Sequence, residues 1–543
     1  MVQPPLPALD QTGACFWRGG EVGELLIGWC VPCRGWQHPS QQFCPACLNE
    51  ITEFRATSGR GEVLACTVNH QPWVQGIDLP YVIAIIGLAE DPKVRLTTNI
   101  VNTAPENVKI GMAVRAVFSH QGDVWIPQFE PDPIARAPAP LKIAPPNPVI
   151  RPRHAMDKFE DKVAITGIGS SQIGRRLQNT SLALTMDACL AAITDAGLER
   201  RDIDGICAYP GSLGLPGMSQ GGVRAIEQVL RLHPSWHCGA HEVPGQIGTV
   251  IDAMMAVASG LCRHVLCFTS FSESNRPSLR GQDNAGAVRG EPAWALAYGC
   301  ASPANWLALY TSQYCAKYGV DPDFLGAIAV STRAHAARNP AAIYQERLTM
   351  DAYRAARMVS SPFRLFDCDV PCDGAMAVII SASDAAKDLP HPPIRVESIG
   401  TQIGELQSWD QGTLTHQPQV FSAAAHLWSR TDQHPRDVDI ALLYDGFTFN
   451  AVSWIEALGF CAPGEARDWL GDGRRIGLGG DLPLNTHGGH LSAGRTNGYG
   501  HLLEAVSQLR GQAAGRQVEG AKAALVTTGG AIPAGCLLLR RDA

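Results

Sequence analysis

Two Cys-x₂-Cys knuckles, Cys30-Val-Pro-Cys33 and Cys44-Pro-Ala-Cys47, stand ten residues apart near the start of the chain. Each knuckle turns two thiolates toward one point, so the pair supplies four sulfurs for a closed tetrahedral Zn²⁺ site, and the segment between them must fold around that point. A closed site leaves no position for water or substrate, so the expected ion is structural. His38 lies between the knuckles and reads as a loop histidine, with an outer-shell donor to a ligand as the alternative. Most of the remaining cysteines, of seventeen in all, lie inside apolar runs such as Cys262 to Cys267 and Ala-Gly-Cys536-Leu-Leu-Leu. They read as buried free thiols in a reducing compartment.

The 543 residues exceed the roughly 250–300 at which one core stops growing, so more than one folding unit is expected. A net charge of −7 provides no broad basic field to gather phosphates, which argues against nucleic acid as a partner. Met-Val-Gln-Pro-Pro-Leu-Pro at the start has neither a basic nor an apolar leader region, and the longest apolar stretch, Tyr81 to Ala89, is too short to span a bilayer. The expectation is a soluble, cytoplasmic protein with no membrane span.

Nine prolines between Pro127 and Pro152 mark an extended linker. Before it, β-rich runs such as Glu62-Val-Leu-Ala-Cys-Thr-Val-Asn, Tyr81-Val-Ile-Ala-Ile-Ile-Gly and Val114-Arg-Ala-Val-Phe, broken by turn residues, predict a small β-barrel. After it, strand-like runs alternate with helical ones: Lys162-Val-Ala-Ile-Thr-Gly-Ile-Gly, a helix over Ser181–Ala196, then Val265-Leu-Cys-Phe-Thr. That alternation predicts layered α/β architecture. Ile394-Arg-Val-Glu-Ser-Ile-Gly-Thr echoes the Lys162 run, consistent with two similar halves.

The cysteine knuckles followed by Gly61-Glu-Val-Leu-Ala-Cys-Thr-Val and Pro80-Tyr-Val-Ile-Ala-Ile-Ile-Gly resemble the DUF35 family, a zinc ribbon joined to an OB-fold, over about residues 20–130. This OB-fold lacks the aromatic platform and basic groove that single strands require. The resemblance implies acyl-CoA handling beside a thiolase-superfamily protein. Segments that resemble such a protein follow in the same chain. Asn485-Thr-His-Gly-Gly-His-Leu-Ser-Ala-Gly-Arg-Thr-Asn-Gly-Tyr-Gly-His501, Tyr444-Asp-Gly-Phe-Thr448 and Ser302-Pro-Ala-Asn resemble the thiolase superfamily, lipid-transfer-protein branch, over about residues 160–543. The implied fold class is α/β: a thiolase-like five-layered αβαβα domain with an N-terminal zinc ribbon and small β-barrel. The divisions are residues 1–52 (zinc ribbon), 53–130 (OB-fold), 131–157 (linker), 158–390 and 391–543 (the two thiolase-like halves).

A thiolase needs a cysteine nucleophile at the start of a buried helix, where the helix dipole favours thiolate. The matching helix begins near Gly245-Gln-Ile-Gly, is preceded by Glu242-Val-Pro, and has no cysteine. Thr528 takes the place of the second thiolase cysteine, and the usual Gly-His-Pro becomes Gly494-Arg-Thr. The aldolases that shorten steroid side chains depart from thiolases in the same way. They are further resembled by Phe268-Thr-Ser-Phe-Ser-Glu-Ser-Asn-Arg, Thr332-Arg-Ala-His-Ala-Ala-Arg-Asn-Pro-Ala and Ser361-Pro-Phe-Arg-Leu-Phe-Asp-Cys-Asp-Val-Pro-Cys-Asp-Gly-Ala.

Retro-aldol cleavage needs no nucleophile, but it does need a base, a donor to the enolate oxygen and a proton for the α carbon. The resemblance makes Tyr444 the first catalytic candidate, as a base whose phenolate a nearby cation or donor network must favour. His487 is a candidate donor to the thioester oxygen or a proton shuttle, and Asp445 could orient the base. Arg495 stands where the aldolase branch has a second tyrosine; it cannot be a base, but it can hold an oxyanion or depress a phenol pKa. Tyr499 could supply the lost phenol from one turn away. Asp367, Asp369 and Asp373 read as turn and capping residues.

The expected function is a carbon–carbon lyase that cleaves a β-hydroxyacyl-CoA, such as a steroid side-chain thioester, into a ketone or aldehyde and a short acyl-CoA. CoA enters as part of the substrate. The alternatives are a Claisen-type acyltransferase using a displaced cysteine such as Cys238, and a noncatalytic acyl-CoA or lipid carrier. Thiolase folds pair, so a homodimer through the thiolase-like domain is expected.

Overall fold

The computed structural model describes residues 5–134, 157–211, 218–274, 287–406, 408–529 and 533–541. The expected linker therefore lies outside the described residues apart from its two ends.

The β-rich runs before the linker close on themselves. Strand Arg60–Asn69 pairs antiparallel with Tyr81–Leu88, which pairs with Arg95–Ile100. Val124–Pro131 meets Arg95–Ile100 in parallel at Phe129 and Ile100, and pairs antiparallel with Ala113–Gln121. Ala113–Gln121 returns to the first strand at Val114 and Gly61. Among the described residues this makes a closed five-stranded barrel, and closure removes the exposed strand edges that an open sheet would carry. Val63, Val82, Ile86, Leu96, Ile126 and Phe129 fill its interior. Every residue of Tyr81–Leu88 is buried, because its other face, Tyr81, Ile83 and Ile85, packs into the core of the larger part of the chain. An unbroken apolar run is what a strand covered on both faces requires. A separate three-stranded sheet, Gly35–Gln37, Leu26–Cys30 and Glu53–Ala56, carries the cysteine knuckles.

The remainder is built on one nine-stranded sheet among the described residues: β1 (Val163–Ser170), β2 (Gly205–Tyr209), β3 (Trp236–Gly239), β4 (His264–Ser272), β5 (Asp373–Ala382), β6 (Ile394–Gly400), β7 (Ile440–Leu442), β8 (Ala523–Thr528) and β9 (Gly535–Arg541). Their order is β3-β2-β4-β5-β1-β6-β9-β8-β7. Outward from the β1/β6 junction, each half has the same pattern. β1–β5 and β6–β9 are antiparallel, as are β5–β4 and β9–β8, while β4–β2 and β8–β7 are parallel. The echoed segments at Lys162 and Ile394 are β1 and β6, the first strand of each half. They meet where Ile165 faces Ile394.

Among the described residues these half-sheets are flanked by α1 (Ser181–Asp195), α2 (Gly248–Ala258), α3 (Pro303–Tyr318), α4 (Gly326–Ala336), α5 (Val420–Trp428), α6 (Thr448–Ala457) and α7 (Tyr499–Arg510), with a further helix, Gly222–Leu230, beside α1. α1 starts where Thr180 accepts the Ala183 N–H through its hydroxyl, a side-chain cap on an otherwise orphaned donor. It covers the outer face of the first half-sheet. α2 and α7 share a core with inward residues of both halves, including Ile165, Val378, Val396 and Leu539. α5 and α6 cover the outer face of the second half, while α3 packs between α6 and the barrel, and α4 against α6 and the 485–501 loop. Helix, sheet, helix, sheet, helix is the five-layered αβαβα arrangement.

Candidate active site

The carboxyl ends of the parallel strands β7 and β8, the start of α2 and the loop leading into α7 converge at one place, where open α/β sheets bind ligands. Leu443, just after β7, is fastened to the loop by a reciprocal pair with Asn485: its N–H donates to Oδ1 at 2.8 Å and its carbonyl accepts from Nδ2 at 2.8 Å. The next N–H, of Tyr444, donates to Thr527 Oγ1 at 2.9 Å. The Tyr444 side chain is buried, edge-on to His490 with ring centroids 4.9 Å apart. Its hydroxyl lies 3.4 Å from Gln246 Nε2. The Gln246 amide has a defined orientation, since its Oε1 accepts the Gly529 N–H at 3.0 Å and its NH₂ is thus the end turned to the phenol. Burial pushes the Tyr444 phenol above its ordinary value of 10, and Asp369 adds to the rise while Arg495 opposes it.

The two places where a thiolase keeps its cysteines meet here. A Cβ on Gly245, whose φ is +68°, would lie 2.1 Å from Thr528 Oγ1. Only glycine accommodates both that dihedral and that approach. Neither place holds sulfur. Cys238 sits on the edge strand β3, and burial, followed by Asp252, pushes its thiol up, which disfavours the nucleophilic thiolate.

Asp445 ties the 485–501 loop together. Its Oδ1 accepts the His490 N–H at 2.8 Å and lies 3.2 Å from His501 Nε2. Its Oδ2 has no partner and abuts Gly489, where a Cβ would come within 1.9 Å. One ligand atom from each of Asp445, His490 and His501 lies within 4.8 Å of the others, the spacing of a possible metal cluster. The hydrogen bonds argue against coordination in this arrangement. His490 Nε2 accepts the Gly498 N–H at 3.2 Å, which uses that lone pair and leaves the ring proton on Nδ1. His487 packs against His501 with centroids 4.9 Å apart, and neither of its ring nitrogens has a partner. It walls a cavity of about 270 Å³ that is also lined by Asn339, Thr496, Glu504 and Arg516. Burial, with the neighbouring His501, holds its pKa well below the usual imidazole value.

Arg495 is held from both ends. Its backbone N–H donates to Val370 O at 2.8 Å, and its guanidinium pairs with Asp369 and Glu273. The sequence reads Asp369 as a turn residue, but the fold makes it an ion-pair partner whose carboxyl burial pushes up to about 6. Asp367 does cap a turn, accepting the Arg364 N–H at 2.7 Å, and it is also a buried acceptor for Tyr353 and Thr448. Tyr499 is not brought to Tyr444. It points into the central layer with its hydroxyl 3.4 Å from Thr249 Oγ1. Gln246, Glu273 and Asp369 escape sequence reasoning because each is a single polar residue with no partner at a recognisable spacing.

At the knuckles, Cys30 and Cys47 Sγ are 3.5 Å apart and Cys44 and Cys33 Sγ 3.9 Å. All four sulfurs lie within 4.8 Å of one another. Those separations bracket the ~3.8 Å edge of a tetrahedron with 2.3 Å metal–sulfur bonds, so the donor set fits one divalent ion. His38 is not part of this group. Its ring packs between Phe16 and Trp294.

Comparison with known proteins agrees with this architecture. The "Thiolase C-terminal domain-like" family matches residues 402–537, and "ChsH2, C-terminal OB-fold domain" matches residues 54–119. A steroid side-chain-cleaving aldolase of Thermomonospora curvata is 34% identical, covering 71% of this chain and 100% of that protein. A 17-hydroxy-3-oxo-4-pregnene-20-carboxyl-CoA lyase of Mycobacterium tuberculosis is 31% identical over 70% of this chain and 99% of its own. The solved Ltp2-ChsH2(DUF35) aldolase is similar with a TM-score of 0.63 at 32% identity, covering 70% of this chain and 98% of that one. The chain therefore belongs to the lipid-transfer-protein, steroid side-chain aldolase branch of the thiolase superfamily, with a DUF35 unit in the same polypeptide.

Proposed function

We infer that this chain is a CoA-thioester carbon–carbon lyase, a retro-aldolase that splits a β-hydroxyacyl-CoA of the steroid side-chain type into a ketone or aldehyde and a short acyl-CoA. One observation carries the reading: Thr528 and Gly245 fill the joint where acyl transfer would need sulfur, while Gln246 at the same joint points its amide at the Tyr444 hydroxyl. Tyr444 is neutral near pH 7, since burial raises its pKa, and it serves as the acid that protonates the α carbon. Gln246 positions it. Asp445 fixes the loop, and His487 exchanges protons with the adjoining cavity. Arg495 stands at the place of the branch's second tyrosine with two carboxylates attached.

The test is to incubate the full chain with a panel of β-hydroxyacyl-CoAs, including a steroid side-chain thioester, and follow products by mass spectrometry. Equimolar ketone or aldehyde and shortened acyl-CoA are expected; tight acyl-CoA binding with no cleavage would leave a carrier. Thiol chemistry separates the lyase from an acyltransferase. Alkylation of accessible cysteines, with the metal site protected by Zn²⁺, is expected to leave cleavage within about 2-fold. An S-acylated chain trapped in turnover, or inactivation on labelling Cys238, would favour the acyltransferase.

Cys30, Cys33, Cys44 and Cys47 hold a structural Zn²⁺, which supplies cross-linking and no chemistry. Such ions contribute about 10–16 kcal/mol in isolated zinc-finger peptides. Chelation is therefore expected to release one zinc per chain and lower the melting temperature of the N-terminal part, with Cys44→Ser doing the same; an unchanged melting curve would exclude the role. The chain pairs as a homodimer through β3, which is bonded on one side only among the described residues. No helix among the described residues is long and apolar enough to cross a membrane.

A further inference from the structure

Cleavage needs a group that takes the β-hydroxyl proton, and two residues of the loop are ill-suited to it. The Tyr444 phenol is protonated at neutral pH, and a guanidinium, the side chain of Arg495, is never a base there. What the fold adds is a pair of carboxylates on that guanidinium, Asp369 on one side and Glu273 on the other.

Glu273 follows directly on β4 and is held rigidly. Its N–H donates to Cys372 O at 3.2 Å, and the next N–H, of Ser274, donates to Asp373 Oδ1 at 3.0 Å. One side-chain oxygen, Oε2, takes the Arg495 ion pair; the other, Oε1, is buried without a partner in a side chain only 4% exposed. Buried carboxylate oxygens left without a partner are rare, and each one needs an explanation. Around this pocket, among the described residues, the other is Asp445 Oδ2, which lies against the Gly489 backbone and leaves no room for a substrate atom. Arg495 compensates the Glu273 charge without using Oε1, as an orienting partner does for a base.

We propose that Glu273 is the catalytic base of the cleavage, taking the β-hydroxyl proton on Oε1, with Arg495 and Asp369 as its positioning pair. The proposal rests on the lyase reading above. The hydroxyl proton passes to Glu273, and the O–H pair becomes the new carbonyl π bond. The α–β carbon bond breaks, its pair moves into the enolate with the thioester π pair on oxygen, and Tyr444 gives a proton to the α carbon. Transfer of one proton from Glu273 to Tyr444 through solvent restores the enzyme, so no redox partner is needed.

The experiment uses the full chain as wild type, Glu273→Gln and Glu273→Ala, with a substrate found in the panel and, separately, the acyl-CoA product in D₂O. Both variants are expected to lower kcat for cleavage by about 10²–10³-fold with KM within about 3-fold. Sodium formate is expected to restore Glu273→Ala at least 10-fold and to leave Glu273→Gln unchanged. Exchange of the product's α protons, which needs Tyr444 and not Glu273, should stay within about 3-fold in both. Cleavage by Glu273→Ala within about 3-fold of wild type, no formate rescue, or loss of α-proton exchange would each overturn the assignment. A wild-type chain that exchanges α protons but cleaves no panel member would instead overturn the lyase reading, and this assignment with it.

Discussion

Tyr444→Phe is expected to lower kcat for cleavage by about 10³-fold, within the 10²–10⁴ range of a positioned acid, equivalent to ~4 kcal/mol of barrier at about 1.36 kcal/mol per tenfold. The substitution removes one oxygen and keeps the ring that packs against His490, so the melting temperature should hold. The hydroxyl is buried and accepts from Gln246, and a phenylalanine would leave that amide one acceptor short. KM is therefore expected to change little while α-proton exchange of the acyl-CoA product collapses along with cleavage. Product formation within about 10-fold of wild type, or exchange persisting in the variant, would remove Tyr444 from the acid's role. Gln246→Leu, which frees the hydroxyl without deleting it, is expected to have a smaller effect on kcat.

The second large effect concerns stability. On α6, Glu456 is 3% exposed and accepts from the Tyr314 hydroxyl and from the Ala466 N–H at 3.1 Å, while pairing with His416 Nε2. His416 and Tyr314 are fully buried, and Thr415 Oγ1 lies 3.0 Å from the other nitrogen of the same imidazole. The network is satisfied at every named atom, so removing its centre strands several buried groups at once. Glu456→Leu is expected to destabilise the fold by about 3–5 kcal/mol, the usual result of breaking a buried pair from one side. Glu456→Gln, which keeps an acceptor, should cost less. Chemical denaturation of the two variants measures the difference, and equal stabilities would mean that the network contributes nothing specific.

Much of the fold was legible in the chain because it is written in local patterns. Alternating β-rich runs with turn residues anticipated the barrel, and the echo between Lys162 and Ile394 marked the first strand of each half. The helix expected over Ser181–Ala196 is α1, Ser181–Asp195. The helix expected from Gly245 begins at Gly248 instead, because Gly245 itself is taken up by the left-handed turn against Thr528. The pocket was legible only in part. Tyr444 and the 485–501 loop stand out as motifs, but Tyr499, though four residues from Arg495, begins α7 and its side chain projects into the central layer. Helical direction, not sequence distance, decides where that phenol goes. Asp369 shows the opposite failure: beside Asp367 and Asp373 it resembles another turn residue, yet it pairs with an arginine 126 positions later.

The chain by itself determined a four-cysteine site, a small barrel, a duplicated α/β body and the absence of cysteine at both thiolase positions, because each of these is carried by neighbours in sequence. Only the tertiary structure decided which polar residues share the pocket. Gln246, Glu273, Asp369, Tyr444 and Arg495 come from separate strand ends, loops and a helix start, and their proximity arises from how two half-sheets pack around α2 and α7. No local periodicity encodes that packing, since it is set by long-range burial of apolar faces.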